Sequence, residues 1–207
     1  AWIGALRRLM NWAGLCHTGV VCLLREFFMP FSTFNEAVSA ICEGRHGDPF
    51  SILGLHKEGS RQVVRAFLPN AERCVVLHDG RELAELARID ARGFFAGTLP
   101  AQTSCLNYRL GVRWGDWDVE IDDPYRFPPV LGELDVWLLA EGTHYRPFER
   151  MGAHPCEMAG IAGVRFAVWA PNARRVSVVG DFCCWDGRRF PMRARRECGV
   201  WEIFLPG

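Results

Sequence analysis

Apolar and polar residues alternate along several short stretches of this chain, and that period predicts strands rather than helices. Val164, Phe166 and Val168 are each separated by one residue, which is the spacing of a strand with one buried face. Pro171 and Asn172 then break the strand, because proline presets φ and asparagine tolerates turn geometry. The apolar residues after this turn predict a partner strand that runs back along the first.

This strand–turn–strand unit occurs twice in the chain. The returning strand is predicted at residues 175–179, and the same pair is predicted in an earlier copy at residues 63–68 and 74–78. Three anchors occur in both copies in the same order, at separations of 98, 102 and 106 residues: LGLH at 53–56 with MGAH at 151–154, PNA at 69–71 with PNA at 171–173, and GFFAGTLP at 93–100 with GVWEIFLP at 199–206. Such ordered self-similarity indicates two copies of one structural unit.

The predicted fold class is therefore all-β, with two tandem immunoglobulin-like β-sandwiches. The first sandwich is expected over residues 48–127 and the second over residues 156–207. After Pro100 the first copy continues with a further strand over residues 106–114, for which the second copy has no counterpart before Gly207. We accordingly expect the second sandwich to be incomplete, truncated at its C-terminal end.

Short linking helices are expected on either side of the first sandwich. Residues 32–47 contain the first, which spans 32–43 with Ser32 or Thr33 as its cap and ends near Gly44. The linker over residues 128–155 contains the second, at 132–141, because leucines recur there at helical spacing: Leu131, Leu134, Leu138 and Leu139.

Residues 1–31 match neither copy and are predicted to be an extension, with Met29-Pro30 as a natural start. The uncharged stretch at 9–24 is sixteen residues long. A membrane helix needs about 20 mostly apolar residues, so no membrane span is expected.

Composition and charge narrow the class of partner. The chain of 207 residues is 49% hydrophobic and 23% charged, which is typical of a globular protein. Lys+Arg and Asp+Glu both total 24, so the formal net charge is zero. Nucleic acids and anionic membranes attract a basic excess, so neither is an expected partner. A neutral ligand such as a sugar polymer suits this balance better.

The nine cysteines predict neither a disulfide framework nor a metal site. Their number is odd, no Cys-x-x-Cys pair occurs, and Cys183 and Cys184 are adjacent. Reduced thiols and a cytoplasmic location are the better interpretation.

Five segments, in this order, resemble the N-terminal region of bacterial 1,4-α-glucan (glycogen) branching enzymes. The resemblance covers residues 32–207, and the linker between the two copies makes it specific. The segments are DPFSILGLH at 48–56, DARGFFAG at 90–97, IDDPYRF at 121–127, AEGTHYRPFERMGAH at 140–154 and FAVWAPNARRVSVVGDF at 166–182.

The resemblance implies a parent enzyme that cuts an α-1,4 link and forms an α-1,6 branch in glycogen biosynthesis. In that family a variable N-terminal sandwich is followed by a sandwich of the glycogen-binding type, and then by an α-amylase-like barrel that performs a double displacement on carboxylates. This chain has no alternating α/β pattern of a barrel. We predict no catalytic residues, cofactor or metal here, and an inactive chain that orients or binds α-glucan and braces the barrel.

Tryptophans are the candidate carbohydrate-binding residues. By the resemblance, Trp185 matches the tryptophan that related modules stack on a glucose ring, since a pyranose face covers an indole face well. Packing under its turn or against the barrel is the alternative. Cys183 and Cys184 stand where related modules carry asparagine or a similar polar residue, which removes a possible amide donor. Trp114 and Trp117 form an i, i+3 pair that is either an exposed stacking platform or, for Trp114, core packing.

Other polar residues are expected to have structural roles. Asp181 and Asp186 should cap the turn around Trp185 rather than catalyse. His56 and His154 occupy equivalent positions in the two copies, which predicts a shared structural role. The arginines between residues 188 and 196 are expected to form a solvated basic loop.

Two further classes of function compete with the branching-enzyme interpretation. A stand-alone glycan-binding protein would leave the second sandwich with an open edge, which favours aggregation. An adhesion or interaction sandwich without a sugar ligand fits poorly with the reduced cysteines and with the family-specific linker.

Overall fold

Residues 31–100 and 107–207 are described by the structure, which is a computed structural model. The predicted extension (except Phe31), the uncharged stretch at 9–24 and Leu106 lie outside these residues.

The first helix, α1, spans Phe31–Cys42 and packs against the first module. Its apolar side chains Ala37, Val38 and Ile41 are buried. Gly44 then adopts a φ of +65°, the left-handed conformation in which helices commonly end.

The first module is a sandwich whose two layers share one long strand. β4 has ten residues, of which 81–86 pair with β3 and 87–90 pair with β5. It therefore passes from one layer to the other and gives the continuous order β1-β2-β5-β4-β3-β6-β7. The strands are β1 Gly54–Glu58, β2 Arg61–Phe67, β3 Arg73–His78, β4 Arg81–Asp90, β5 Phe94–Leu99, β6 Arg109–Trp114 and β7 Trp117–Asp122.

Both faces of β2 are buried, for two different reasons. Val64 and Ala66 point into the sandwich core. Phe67 lies on the other face, in the cluster that α1 covers. Arg65 shares that face, where its guanidinium lies 5.0 Å from the centre of the Phe34 ring and pairs with Glu58. A strand covered on both sides explains why its apolar residues run together instead of alternating strictly.

Asp123 anchors the end of the first module. Its carboxylate accepts hydrogen bonds from the Tyr108 hydroxyl at 2.5 Å and from the Tyr125 backbone N–H at 2.9 Å. The side chain is 2% exposed, and this burial raises the pKa of Asp123 to about 6. The residue caps the turn at Pro124–Arg126.

The second helix, α2, spans Glu133–Ala140 in the linker. Leu131 and Val136 are buried against the second module, together with partly buried Leu139. Leu134 is 68% exposed, so the predicted leucine stripe is wrong at this position. The helix is apolar on nearly every side, and spacing alone does not identify which side is covered.

The second module contains a four-stranded sheet in the order β10-β11-β9-β8. Its opposite layer is irregular, and there the prediction of a strand at 175–179 is wrong. Ser177 forms only an isolated bridge to Pro191, and proline has no N–H with which to extend a ladder. The strands are β8 Gly152–Met158, β9 Ile161–Trp169, β10 Arg193–Arg195 and β11 Val200–Pro206.

Strand register demonstrates the duplication. Ala66 opposes Phe95 in the first module, and their equivalents Val168 and Trp201 oppose each other in the second. The two predicted histidine positions also agree: Nε2 of each histidine bonds the carbonyl three residues earlier, His56 to Leu53 at 3.0 Å and His154 to Met151 at 2.7 Å. Their shared structural role is confirmed.

Arginines connect the two modules. The Arg175 guanidinium hydrogen-bonds the Gly44 carbonyl, and the Arg193 guanidinium lies 3.9 Å from the centre of the Phe50 ring. Arg195 is 7% exposed, and Arg188, Arg189 and Arg193 are half-buried. The prediction of a solvated basic loop is therefore wrong for these four arginines and holds for Arg196, which is exposed. Arg175, Arg193 and Arg195 are held by carbonyls, rings and carboxylates that are distant in sequence.

Candidate functional site

The turn that carries Trp185 is held in an unusual backbone conformation. A short 3₁₀ turn at Asp181–Cys183 leads into Cys184 and Trp185, whose φ angles are +53° and +57°. The Trp185 N–H donates to the Gly180 carbonyl at 3.0 Å and closes the turn. Two consecutive left-handed residues other than glycine are unfavourable by themselves, so the surrounding contacts must maintain them.

One of these contacts also orients the Trp185 side chain. Its Nε1 donates to Oδ1 of Asp181 at 2.8 Å, and the residue remains 67% exposed. Within the described chain the indole is therefore fixed at one edge while much of its surface faces solvent. The alternative of a tryptophan packed under its own turn does not describe this geometry.

Two other side chains of the turn, Cys183 and Asp186, also hold it in place. Cys183 is fully buried and its Sγ contacts the backbone N and O of Gly180. Asp186 accepts hydrogen bonds from Arg188, which lower the pKa of Asp186. Asp186 also accepts from the Arg188 backbone N–H at 3.0 Å, so its predicted capping role is confirmed. Asp181 instead binds the Trp185 indole, which is a side-chain contact rather than a backbone cap.

Trp114 and Trp117 are opposite residues of the β6–β7 hairpin, on either side of a two-residue turn. Directly opposed residues share a face of the sheet. Trp114 packs against the sandwich core and donates its Nε1 to the Pro69 carbonyl at 3.1 Å. Trp117 is 76% exposed. The pair thus consists of one anchored ring and one exposed ring.

An apolar cavity of about 710 Å³ lies between the modules. Trp114 lines it, with Phe166, Phe182 and Tyr125, but Trp117 and Trp185 do not. The structure therefore does not bring the three predicted tryptophans into one site.

Trp169 is an exposed aromatic residue that the sequence interpretation passed over as an ordinary strand residue. It is 66% exposed, whereas its equivalent in the first module, Phe67, is 6% exposed. The signal that could have found it was the replacement of a phenylalanine by the larger, amphipathic tryptophan at the same repeat position.

The part of the chain that the structure describes contains neither a metal-binding cluster nor a membrane-spanning helix. No group of three or more His, Cys, Asp or Glu residues is placed to hold a metal ion. No helix there is long and apolar enough to cross a membrane. The cysteines of this part are free: Cys42, Cys74, Cys156, Cys183, Cys184 and Cys198.

The second of the two tandem β modules, which carries the fixed and exposed tryptophan on its turn, belongs to the carbohydrate-binding-module class. Residues 150–207 match the family model of carbohydrate-binding module 48, the isoamylase N-terminal domain. Residues 35–125 match that of the N-terminal domain of alpha-1,4-glucan branching enzyme GlgB. The chain is thus an N-terminal region of a glycogen branching enzyme, and the resemblance found in the sequence is confirmed.

Proposed function

We propose that this chain binds α-glucan chains through its second module and braces the catalytic barrel of a 1,4-α-glucan branching enzyme. Trp185 carries the first part of this proposal. Its indole is held by Asp181 and exposed on a carbohydrate-binding module, and a pyranose can cover an aromatic surface of this kind with little loss of side-chain freedom.

Replacing Trp185 with alanine should remove retardation of the chain by glycogen in affinity gel electrophoresis. Loss of the stacking surface should weaken binding at least tenfold, which corresponds to ~1.4 kcal/mol. Trp137→Ala is the matched control, because Trp137 is also an exposed tryptophan but lies on α2. Unchanged retardation of a folded Trp185→Ala protein would refute the role of Trp185.

An outward apolar surface on the linker supports the bracing role. Leu134, Trp137 and Phe148 are 68%, 54% and 66% exposed. Large apolar side chains grouped on one segment commonly mark a contact surface, and α2 is apolar on the side facing away from the module as well as on the side facing it. This surface favours a chain that works against another domain over a stand-alone glycan-binding protein.

The double substitution Leu134→Ser/Trp137→Ser should weaken association with a branching-enzyme catalytic domain supplied as a separate protein. We expect at least a tenfold increase in Kd by analytical ultracentrifugation. The melting temperature of the chain should stay nearly constant, because both side chains are already exposed. Trp117→Ser, on the first module, is the matched control and should leave the Kd unchanged. Equal affinity of the double variant and the unaltered chain would contradict a brace at this surface.

The chain alone should form no α-1,6 branches in amylose, as debranching followed by chain-length analysis would show.

A further inference from the structure

Trp169 ends β9 on the face of the sheet that α2 covers. It opposes Val200, which is buried under the helix together with Ala167. In the first module α1 covers the corresponding face and buries Phe67. α2 ends at Ala140, the position equivalent to Cys42 at the end of α1, and its last residues lie beside Trp169. The indole of Trp169 nevertheless remains 66% exposed.

A cavity of about 480 Å³ lies beside this indole. The end of α2 forms one wall with Glu141 and Gly142, and the turn before β11 forms another with Arg196 and Gly199. Its volume is within the ~300–1,000 Å³ typical of small-molecule sites. No residue from 174 to 193 lines it, so this cavity is separate from the turn that carries Trp185.

Gly199 sets how closely the indole approaches the turn. A Cβ at this position would lie 3.4 Å from Nε1 of Trp169 and 2.7 Å from the Pro171 ring. The absent side chain lets the ring system lie close to the backbone beside the cavity.

Three polar groups at the cavity have no partner in the part of the chain that the structure describes. Glu141 and Arg196 are exposed and form neither hydrogen bonds nor ion pairs through their side chains there. Nε1 of Trp169 likewise has no acceptor, whereas Trp185 and Trp201 donate theirs to Asp181 and to a backbone carbonyl. The cavity thus offers the aromatic surface of Trp169, two hydrogen-bond donors (the indole N–H and the Arg196 guanidinium) and one acceptor (the Glu141 carboxylate). The charges of Arg196 and Glu141 cancel.

We propose that this cavity is a second α-glucan subsite, in which a glucose ring stacks on Trp169 while Glu141 and Arg196 hydrogen-bond its hydroxyls. A neutral ligand with one apolar face and a rim of hydroxyls satisfies all of these groups together. A charged ligand would be repelled by one of the two opposite charges. A purely apolar ligand would hydrogen-bond neither side chain. The inference rests on the proposed glucan-binding function and adds a site to it.

Maltotriose titration followed by NMR of the indole N–H signals tests this subsite directly. Each tryptophan gives its own signal, and Trp169→Phe and Trp185→Phe identify the two that matter. We expect the Trp169 signal to shift in a saturable manner, and cellotriose, a β-1,4 probe, to leave it unmoved. Glu141→Gln and Arg196→Gln should each raise the Kd read from this signal about fivefold without changing the Kd read from Trp185. Trp137→Phe, which lies outside the cavity, should change neither value.

The outcomes separate this inference from the proposed function. If the Trp185 signal moves and the Trp169 signal does not, the second subsite is refuted and glucan binding at Trp185 stands. If only the Trp169 signal moves, the subsite is supported and the Trp185 platform fails. If neither moves, both are refuted. An equal response to cellotriose, or no effect of either polar substitution, would overturn the assigned ligand class and hydrogen-bonding roles.

Discussion

Replacing Glu202 with alanine is expected to lower the free energy of unfolding by about 3–5 kcal/mol, the cost of breaking a buried charge pair on one side. Glu202 is fully buried on β11. Its Oε2 accepts from the Leu131 backbone N–H at 2.7 Å, and its Oε1 lies 3.5 Å from the Arg195 guanidinium. The substitution leaves the Leu131 N–H without its acceptor and removes the buried carboxylate beside Arg195. It also loosens the linker that leads into α2.

Urea unfolding followed by circular dichroism measures this effect. Glu197→Ala is the matched control, since Glu197 pairs with the same Arg195 at 2.7 Å from a position that is 51% exposed. Exposed pairs contribute less than about 1 kcal/mol. Equal, small losses in the two variants would show that Glu202 does not hold the linker to the sheet.

The second large effect is expected at Gly93, where alanine should cost about 3 kcal/mol or more. Gly93 has a φ of +105°, and a Cβ there would lie 2.4 Å from the Leu68 carbonyl oxygen. The same residues form a backbone hydrogen bond, from the Leu68 N–H to the Gly93 carbonyl at 2.8 Å. Neither chain segment can move away without losing this bond.

Gly80→Ala separates the cost of the left-handed backbone from the cost of the close contact with another chain segment. Gly80 has a φ of +73°, but a Cβ there would have nothing within 4 Å. It should lose only about 1 kcal/mol, for the left-handed conformation. Thermal unfolding of both variants gives the comparison. Similar melting temperatures for Gly93→Ala and Gly80→Ala would mean that the close backbone approach does not matter.

The repeat explains why sequence reasoning reached the fold. Gly199 takes the place of Gly93 in the second copy, with a φ of +70°, and it accepts the equivalent bond from Ala170 at 2.9 Å. The Pro-Asn-Ala turn and the distant glycine recur together because each turn packs on its own glycine. The same combination of turn and glycine occurs in both copies, so the repeat can be recognised without knowing the tertiary structure.

Sequence reasoning failed where a segment depends on neighbours from elsewhere in the chain. Residues 175–179 have strand-like side chains, but Ser177 has only Pro191 as a bridge partner. Arg193 and Arg195 appeared to belong to a charged loop, yet they lie against Phe50 and Glu202. Partners at such sequence separations leave no periodic signal.

The sequence by itself determined the duplication, the strand period, the turns and the resemblance to branching enzymes, because these depend on neighbouring residues and on ordered motifs. Tertiary structure alone decided which tryptophans are exposed. Trp114 is anchored in a core, Trp185 is held at one edge by Asp181, and Trp169 is exposed beside the end of α2. Exposure depends on what else packs against a side chain, and neither the identity of a residue nor its spacing records that.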